Sequence, residues 1–432
     1  MVIRKFASGS AFLTHLRSTA DQDFSLQESV REILREVRAE GDSAVLRFTE
    51  KFDGVRRSNL AVTAGEWRQQ QKVAREELEL LSQAAENIRA FHTAERAHLS
   101  SWRLKRPGFW LEQRMAPIRR VGVYVPGGKA AYPSSVLMNV IPAQVAGVPE
   151  VVLVSPPDRH TGTVHPLILA AARLLGIEEV YAAGGAQAVA ALAFGTESLP
   201  PVDKITGPGN RYVNEAKRQV FGKVGIDALA GPSEVLVIAD GTADPALVAA
   251  DLLAQAEHDS DARAFCLSVN PALLEAVEKE LERQLQMLPR NEIAAAALKE
   301  HGALVRVRSP EEAVQVANAA APEHLELMTA APETWLPEIR NAGSVFVGPM
   351  SPEPVGDYWA GSNHVLPTGG TARFSSGLSV RDFLRWTNII GYSSEALFRD
   401  GKKIARLARL ESLEGHARSV EIRLERLEGK TS

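Results

Sequence analysis

A glutamate and a histidine stand side by side in the run Ala321-Pro322-Glu323-His324. A carboxylate next to an imidazole offers a general base together with a proton carrier that titrates near neutral pH. The same run also fits an ordinary helix start, with Glu323 and His324 in the first turn of a helix over residues 325–328, because a proline followed by an acid is common there. The run alone leaves both interpretations open, a catalytic pair and a helix cap.

Metal-type side chains follow a second pattern. Asp244-Pro245 predicts a helix start, and Asp251, Gln255 and His258 then fall at i, i+4 and i+7 on one helix face. An amide oxygen and an imidazole one turn apart can reach the same ion, although solvated polar stripes share this spacing. Residues 356–364, which include Asp357, are rich in Asp, Asn and His and indicate a site loop or a surface turn.

Three glycine-rich turns follow predicted strands, at residues 124–128, 184–187 and 207–210. Glycine at such positions lets backbone N–H groups approach a phosphate at a helix N-terminus. The dinucleotide fingerprint itself is absent, because Tyr212 stands where a third small residue is needed. The three turns together favour a nucleotide site, and each alone is compatible with a plain turn.

A last histidine, His416, closes the polar run 411–416, where a solvent-facing or capping role competes with a contact to a partner chain. Two imidazoles, a carboxylate and an amide form a donor set that zinc accepts readily. With the Glu-His pair and an upstream nucleotide region, this set predicts a nicotinamide-dependent dehydrogenase.

The elements that must position these residues are helices first and α/β units afterwards. The first hundred residues have helical spacing, with a helix that stops at Gly41 and a second one over about 65–96. Short β-branched runs then alternate with Ala-rich helices, and strands are predicted at 121–125, 151–155, 180–183, 204–206, 234–239, 264–269, 303–307 and 344–347. Nearly continuous apolar strands separated by helices predict parallel sheets covered on both faces.

We therefore predict an α/β protein with two doubly wound, incomplete Rossmann-like sheet domains, a helical N-terminal lead-in and a helical C-terminal tail. The predicted divisions are a helical region at 1–115, a nucleotide-side domain at 116–232, a second α/β domain at 233–380 and a tail at 381–432 that reaches a partner subunit.

Composition narrows the class of partner. The 432 residues carry 49 Lys and Arg against 53 Asp and Glu, a formal charge of -4, so neither a nucleic acid nor a membrane surface is predicted. No apolar stretch predicts a signal peptide or a membrane span. The single cysteine, Cys266, lies in a predicted buried strand, which excludes an internal disulfide, suits a reducing cytoplasm and weakens a thiol-based mechanism.

The order of the motifs resembles the histidinol dehydrogenase family from residue 121 to about 381 and again at 411–416. The stretches that carry the resemblance are Val121-Gly-Val-Tyr-Val-Pro-Gly-Gly128, Gly184-Gly-Ala-Gln187, Gly207-Pro-Gly-Asn210, Gly231-Pro-Ser-Glu-Val235, Gln255-Ala-Glu-His258, Pro322-Glu-His324, Gly356-Asp-Tyr358 and Asn363-His-Val-Leu-Pro367.

The resemblance implies an enzyme that oxidises L-histidinol to L-histidine in two NAD-dependent steps through a bound aldehyde, as a homodimer with active sites shared between subunits. It implies Glu323 and His324 as the acid-base pair, with Glu323 activating water and His324 taking the alcohol proton. The other implied residues are the zinc ligands Gln255, His258, Asp357 and His416, the last from the other subunit, the NAD contacts Tyr124, Gln187 and Asn210, and the substrate contacts Ser233, His324 and Glu411 beside the zinc ligands.

Two rival hypotheses remain at the level of sequence. One is a relative that keeps zinc and NAD but oxidises another polar alcohol, and the substrate-contacting residues, above all Glu411 with Glu414 one turn away, would separate it. The other is a non-catalytic zinc or nucleotide binding protein, against which the intact Glu323-His324 pair argues.

Overall fold

The computed structural model describes residues 3–18, 24–127 and 131–429. The chain divides into two compact units, one of Met1–Ala94 with Ile118–Phe383 and one of Glu95–Pro117 with Leu384–Ser432. Gly128, the last residue of the first glycine-rich turn, lies outside the described residues.

The first unit contains a five-stranded parallel sheet in the order β6-β5-β4-β7-β8. Its strands are β4 (Arg120–Tyr124), β5 (Glu150–Ser155), β6 (Val180–Ala182), β7 (Lys204–Thr206) and β8 (Gly225–Ile226). The connecting helices are α6 (Pro133–Ala146), α7 (Pro166–Leu174), α8 (Gly185–Phe194) and α9 (Arg211–Val220). The N-terminal helices α2 (Phe24–Glu40) and α3 (Asp42–Asp53) pack with α8 and α9 on one face of this sheet.

The same unit contains a six-stranded parallel sheet in the order β1-β11-β10-β9-β12-β13. Its strands are β1 (Arg4–Phe6), β9 (Glu234–Ala239), β10 (Arg263–Ser268), β11 (Ala303–Arg306), β12 (His324–Met328) and β13 (Ser344–Val347). One face is covered by α10 (Pro245–Ala256), α11 (Pro271–Leu285) and α12 (Asn291–His301), and the other by α1 (Gly9–Ser18) and α13 (Pro310–Ala320). After β13 the chain forms the short helix α14 (Glu353–Tyr358).

The second unit contains an antiparallel sheet in the order β14-β3-β2, formed by β2 (Trp102–Arg106), β3 (Phe109–Pro117) and β14 (Leu384–Tyr392). Two helices, α15 (Ser394–Leu410) and α16 (Glu414–Glu428), pack on each other after β14. The remaining helices of the N-terminal segment are α4 (Ala64–Trp67) and α5 (Arg75–Ala97).

The predicted α/β class with two parallel sheets is confirmed, and each of the eight predicted strands exists. The predicted helix over 325–328 is wrong, because these residues form β12, paired in parallel with β9 and β13. The lead-in and the tail are also less purely helical than predicted, since they supply β1, β2, β3 and β14. The divisions at residues 115, 232 and 380 remain a prediction.

Candidate active site

Glu323 directly precedes β12 and His324 begins it. Side chains alternate across a strand, so Leu325 and Leu327 enter the apolar core that includes α1 and α13. His324 and Glu326 therefore face the opposite side of the sheet, which is covered by α10. The strand aims a buried imidazole and a buried carboxylate at the helix that carries the predicted metal ligands.

The His324 ring is held in one neutral form. Its Nδ1 lies 3.2 Å from the Glu234 carbonyl oxygen, and since a carbonyl only accepts, Nδ1 carries the proton and Nε2 the lone pair. Nε2 has no hydrogen-bond partner among the described residues and lies 3.9 Å from Asp357 Oδ1. Burial, with smaller contributions from the nearby His258 and His364 rings, lowers the pKa of His324 to about 3. The ring is therefore neutral at pH 7, with a free acceptor atom.

Glu323 is buried beside this ring, and its pKa moves in the opposite direction. Its Oε2 accepts the backbone N–H of Glu234 at 3.0 Å and lies 3.9 Å from His324 Nδ1, and the Ser233 side chain also hydrogen-bonds the carboxyl. Burial raises the pKa of Glu323 well above its usual value, and the repulsion of Glu234 and Asp357 raises it further. A helix N-terminus that would keep Glu323 ionised does not exist here, because a strand follows it.

Three side chains converge as a metal-type group. One ligand atom from each of His258, Glu353 and Asp357 lies within 4.8 Å of the others. His258 follows the C-terminus of α10, whereas Glu353 and Asp357 stand at i and i+4 on α14. Burial raises the pKa of Asp357 to about 7 and lowers that of His258. Imidazole nitrogen and carboxylate oxygens in this arrangement suit zinc.

The polar residues predicted on one face of α10 contact two different carboxyl groups. Gln255 is fully buried, and one terminal atom of its amide lies 3.1 and 3.3 Å from the two carboxylate oxygens of Glu353. Burial raises the pKa of Glu353 well above its usual value. With Glu353 ionised both of its oxygens accept, and this atom is assigned as the amide nitrogen. Asp251, one turn earlier, hydrogen-bonds Glu326 instead. His258 thus belongs to the metal-type group, Gln255 contacts that group through Glu353, and Asp251 does neither.

Glu353 and His364 have places in the site that the sequence did not predict. Glu353 and Asp357 have the i, i+4 spacing of neighbours on one helix face. This spacing gave no prediction, because residues 356–364 were predicted to form a loop or turn. His364 Nδ1 lies 3.2 Å from the Asp357 carbonyl oxygen, and burial lowers the pKa of His364 to about 4. His364 is therefore a neutral ring that packs behind Asp357.

The predicted nucleotide residues lie near the carboxyl ends of three strands: Tyr124 ends β4, and Gln187 and Asn210 come after β6 and β7. The Tyr124 hydroxyl accepts the N–H of Gly185 at 3.2 Å, and Asn210 caps α9 by accepting the N–H of Tyr212 at 3.0 Å. Gln187 is buried on α8, and neither polar atom of its amide has a partner among the described residues. An unpartnered buried amide at the ligand-binding edge of a parallel sheet fits a dinucleotide, which would supply the missing hydrogen bonds.

Glu411 and His416 belong to the second unit, and both are exposed. Glu411 follows the end of α15, and His416 lies in the first turn of α16. Ser412, between the two helices, has a φ of 60°. Glu414 pairs with Arg409 at 2.6 Å, whereas the described residues supply no side-chain partner for Glu411. Of the two glutamates, Glu411 is the one left available for a ligand.

The fold is doubly wound α/β, and its sheet carries a neutral buried imidazole, a buried carboxylate and metal-type donors. These features define an α/β enzyme with an acid-base centre. The family model for histidinol dehydrogenase matches residues 16–424. The chain is 52% identical to histidinol dehydrogenase of Geobacillus kaustophilus over 99% of this chain and 100% of the relative. It is 51% identical to that of Rhizobium meliloti, over 96% of this chain and 95% of the relative.

A crystal structure of histidinol dehydrogenase from Elizabethkingia anophelis superimposes with a TM-score of 0.91, at 37% identity and over 99% of both chains. The chain belongs to the histidinol dehydrogenase family and is an oxidoreductase. Across the part of the chain that the structure describes, no helix is long and apolar enough to cross a membrane.

Proposed function

We propose that this protein oxidises L-histidinol to L-histidine with two NAD, through a histidinaldehyde that stays bound, as the last step of histidine biosynthesis in the cytoplasm. The observation that supports it most directly is the arrangement around His324, whose free Nε2 lies beside Asp357 and whose Nδ1 lies beside Glu323. Family membership supplies the substrate class.

His324 serves the alcohol step. Its Nε2 accepts the hydroxyl proton of the alcohol, and NAD, when bound, would supply the hydride acceptor for this step. The lowered pKa of His324 keeps Nε2 free at neutral pH. Once the ring is protonated, Glu323 and Glu353, 3.9 and 3.7 Å from Nδ1, favour the charged form whenever their carboxyl groups are ionised.

Glu323 serves the aldehyde step. Only the hydrate of the aldehyde has a second hydride to give, so water must add first, and Glu323 accepts the proton of that water. Its raised pKa makes the ionised carboxylate a stronger base than an exposed glutamate. A cysteine thiohemiacetal is disfavoured, because Cys266 is buried in β10 and burial raises the pKa of its thiol to about 12.

The metal ligands of the proposal are Gln255, His258 and Asp357, together with His416 of the partner subunit. Zinc held there would orient the imidazole and amine of the substrate, which selects an amino alcohol that bears an imidazole. Ser233 hydrogen-bonds Glu323, which supports its place in the substrate pocket.

The remaining ligand contacts follow from the matched positions. Glu411 contacts the substrate, and Tyr124, Gln187 and Asn210 hold NAD. The unpartnered amide of Gln187 supports the cofactor assignment.

The proposed homodimer shares its two active sites between subunits. Exposed apolar side chains of the tail support an interface there, since Leu407, Leu410 and Leu413 are 63%, 75% and 40% exposed in the single chain.

The test is an incubation with L-histidinol, excess NAD and supplied zinc, in which NADH and histidine are both quantified. Two NADH per histidine are expected. Absence of NADH overturns the proposal, and one NADH per histidine overturns the two-step sequence. NADH from a different polar alcohol, with none from histidinol, would identify the rival relative.

A further inference from the structure

Glu353 is a buried carboxylate at the centre of the site, with 2% of its surface exposed. It begins α14, four residues before Asp357. The proposed reaction gives Glu353 no role beyond its charge near His324. Its carboxylate oxygens lie 3.1 and 3.3 Å from the Gln255 amide nitrogen and 3.7 Å, through Oε1, from His324 Nδ1.

The contact with Gln255 fixes which way that amide faces. The nitrogen and oxygen of a side-chain amide lie in one plane and point in different directions from the same carbon, and here the nitrogen contacts the two oxygens of Glu353. The amide oxygen is thereby turned away from the carboxylate. Without Glu353, nothing in this contact would distinguish the nitrogen from the oxygen.

Glu353 is in turn held by a second pair of buried carboxyl groups. Its backbone N–H donates to Glu326 Oε1 at 3.0 Å, and Glu326 on β12 hydrogen-bonds Asp251 on α10. Gln255 stands one turn after Asp251 on the same helix. The two helices that carry the metal-type donors are thus joined through one residue of the strand between them.

We propose that Glu353 is a positioning residue of the metal centre, whose carboxylate accepts the Gln255 N–H and so presents the Gln255 amide oxygen to a divalent cation held with His258 and Asp357. The inference rests on the proposed metal centre. Carboxylates that hydrogen-bond a metal-binding side chain commonly raise metal affinity by about 10–100-fold. The alternative is that Glu353 is itself a ligand, since its carboxylate belongs to the same group of atoms.

The test measures zinc affinity in competition with a chromogenic chelator, on the full-length protein. Glu353→Gln should weaken zinc binding about 10–100-fold. The matched control is Glu66→Gln, which neutralises a carboxylate that is 11% exposed and paired with Arg57 at 2.5 Å in α4. The control should bind zinc as the unsubstituted protein does, so a loss in Glu353→Gln alone assigns the effect to the site. Equal affinity in Glu353→Gln and the unsubstituted protein overturns the inference.

A double substitution separates positioning from direct ligation. If Glu353 acts through Gln255, then Glu353→Gln in a Gln255→Ala background should weaken zinc binding by less than about threefold. If Glu353→Gln weakens zinc binding in the Gln255→Ala background as much as it does alone, Glu353 acts without Gln255 and the inference is overturned. Cobalt(II) in place of zinc gives an independent readout, because its visible absorption reports the number of ligands, which Glu353→Gln should leave unchanged.

Failure of the metal centre itself has a different signature. If the unsubstituted protein takes up no zinc at stoichiometric concentrations, both the metal assignment and this inference are overturned. If it binds zinc tightly and Glu353→Gln binds equally well, the positioning role alone is overturned.

Discussion

Glu323 and His324 are neighbours in sequence, yet burial shifts their pKa values in opposite directions. The His324 pKa falls to about 3 because burial disfavours the imidazolium, and the Glu323 pKa rises because burial disfavours the carboxylate. One group is therefore ready to accept a proton at neutral pH, and the other becomes a strong base when it ionises. This difference is the physical basis for giving the two residues separate steps.

Single substitutions should separate the two half-reactions. We expect Glu323→Gln to slow oxidation of histidinaldehyde by about 10²–10⁴-fold while slowing alcohol oxidation less, and His324→Asn to slow alcohol oxidation by a similar factor. Each variant is assayed with NAD and either histidinol or histidinaldehyde, following NADH. Equal losses in both assays for both variants would refute the division of labour.

Glycine turns at the strand ends position the proposed NAD contacts. Gly207 follows β7 with a φ of 114°, and a Cβ at this position would collide with the Tyr124 carbonyl oxygen at the end of β4. Two strand ends can approach this closely only because Gly207 has no side chain.

Gly207→Ala should therefore raise the KM for NAD about tenfold or more. Gly176→Ala is the matched control, because Gly176 has a φ of 71° but no neighbouring atom within 4 Å of the place that an alanine methyl group would occupy. The control should lose about 1 kcal/mol of stability from backbone strain alone and keep its KM. The prediction fails if the two variants have the same KM for NAD.

The sequence predicted those strands whose residues are β-branched and apolar on both faces. It failed at β12, where His324-Leu-Glu-Leu-Met328 consists of residues that also form helices, and only the pairing with β9 and β13 decides the strand. It also failed for β2 and β14, whose mostly exposed residues give no buried pattern. Glu353 was missed for a related reason, since its role depends on α14 being a helix.

Buried ionisable groups give the whole metal-free protein a pH-dependent stability. Raised acid pKa values, about 6 for Asp251, about 7 for Asp357 and about 9 for Glu326, contribute stability at low pH that is lost as pH rises through those values. Lowered pKa values, about 3 for His324 and about 4 for His364, contribute stability above pH 6.5 that is lost as pH falls through them. The histidine contribution changes little above pH 6.5, so the acids with raised pKa values dominate the change there.

Raising the pH from 6.5 to 9 should thus destabilise the metal-free protein by on the order of 2 kcal/mol, seen as a lower melting temperature. Glu326→Gln cannot ionise and should show a smaller drop over the same interval. Bound zinc favours the ionised carboxylates, so it should stabilise the protein more at pH 9 than at pH 6.5. A Glu326→Gln variant with an undiminished drop would show that other groups cause it.

Shared active sites make a prediction about the assembled protein. Suppose that each site combines Glu323 of one subunit with His416 of the partner subunit. A heterodimer of Glu323→Gln and His416→Ala subunits then has one site with both substitutions and one with neither. Random mixing gives half heterodimers, so about a quarter of the unsubstituted activity should return after the two inactive proteins are unfolded and refolded together. Mixing Glu323→Gln with Glu323→Ala should return none.

If the first mixture also stays inactive while size-exclusion chromatography shows that heterodimers formed, each site is built from a single chain.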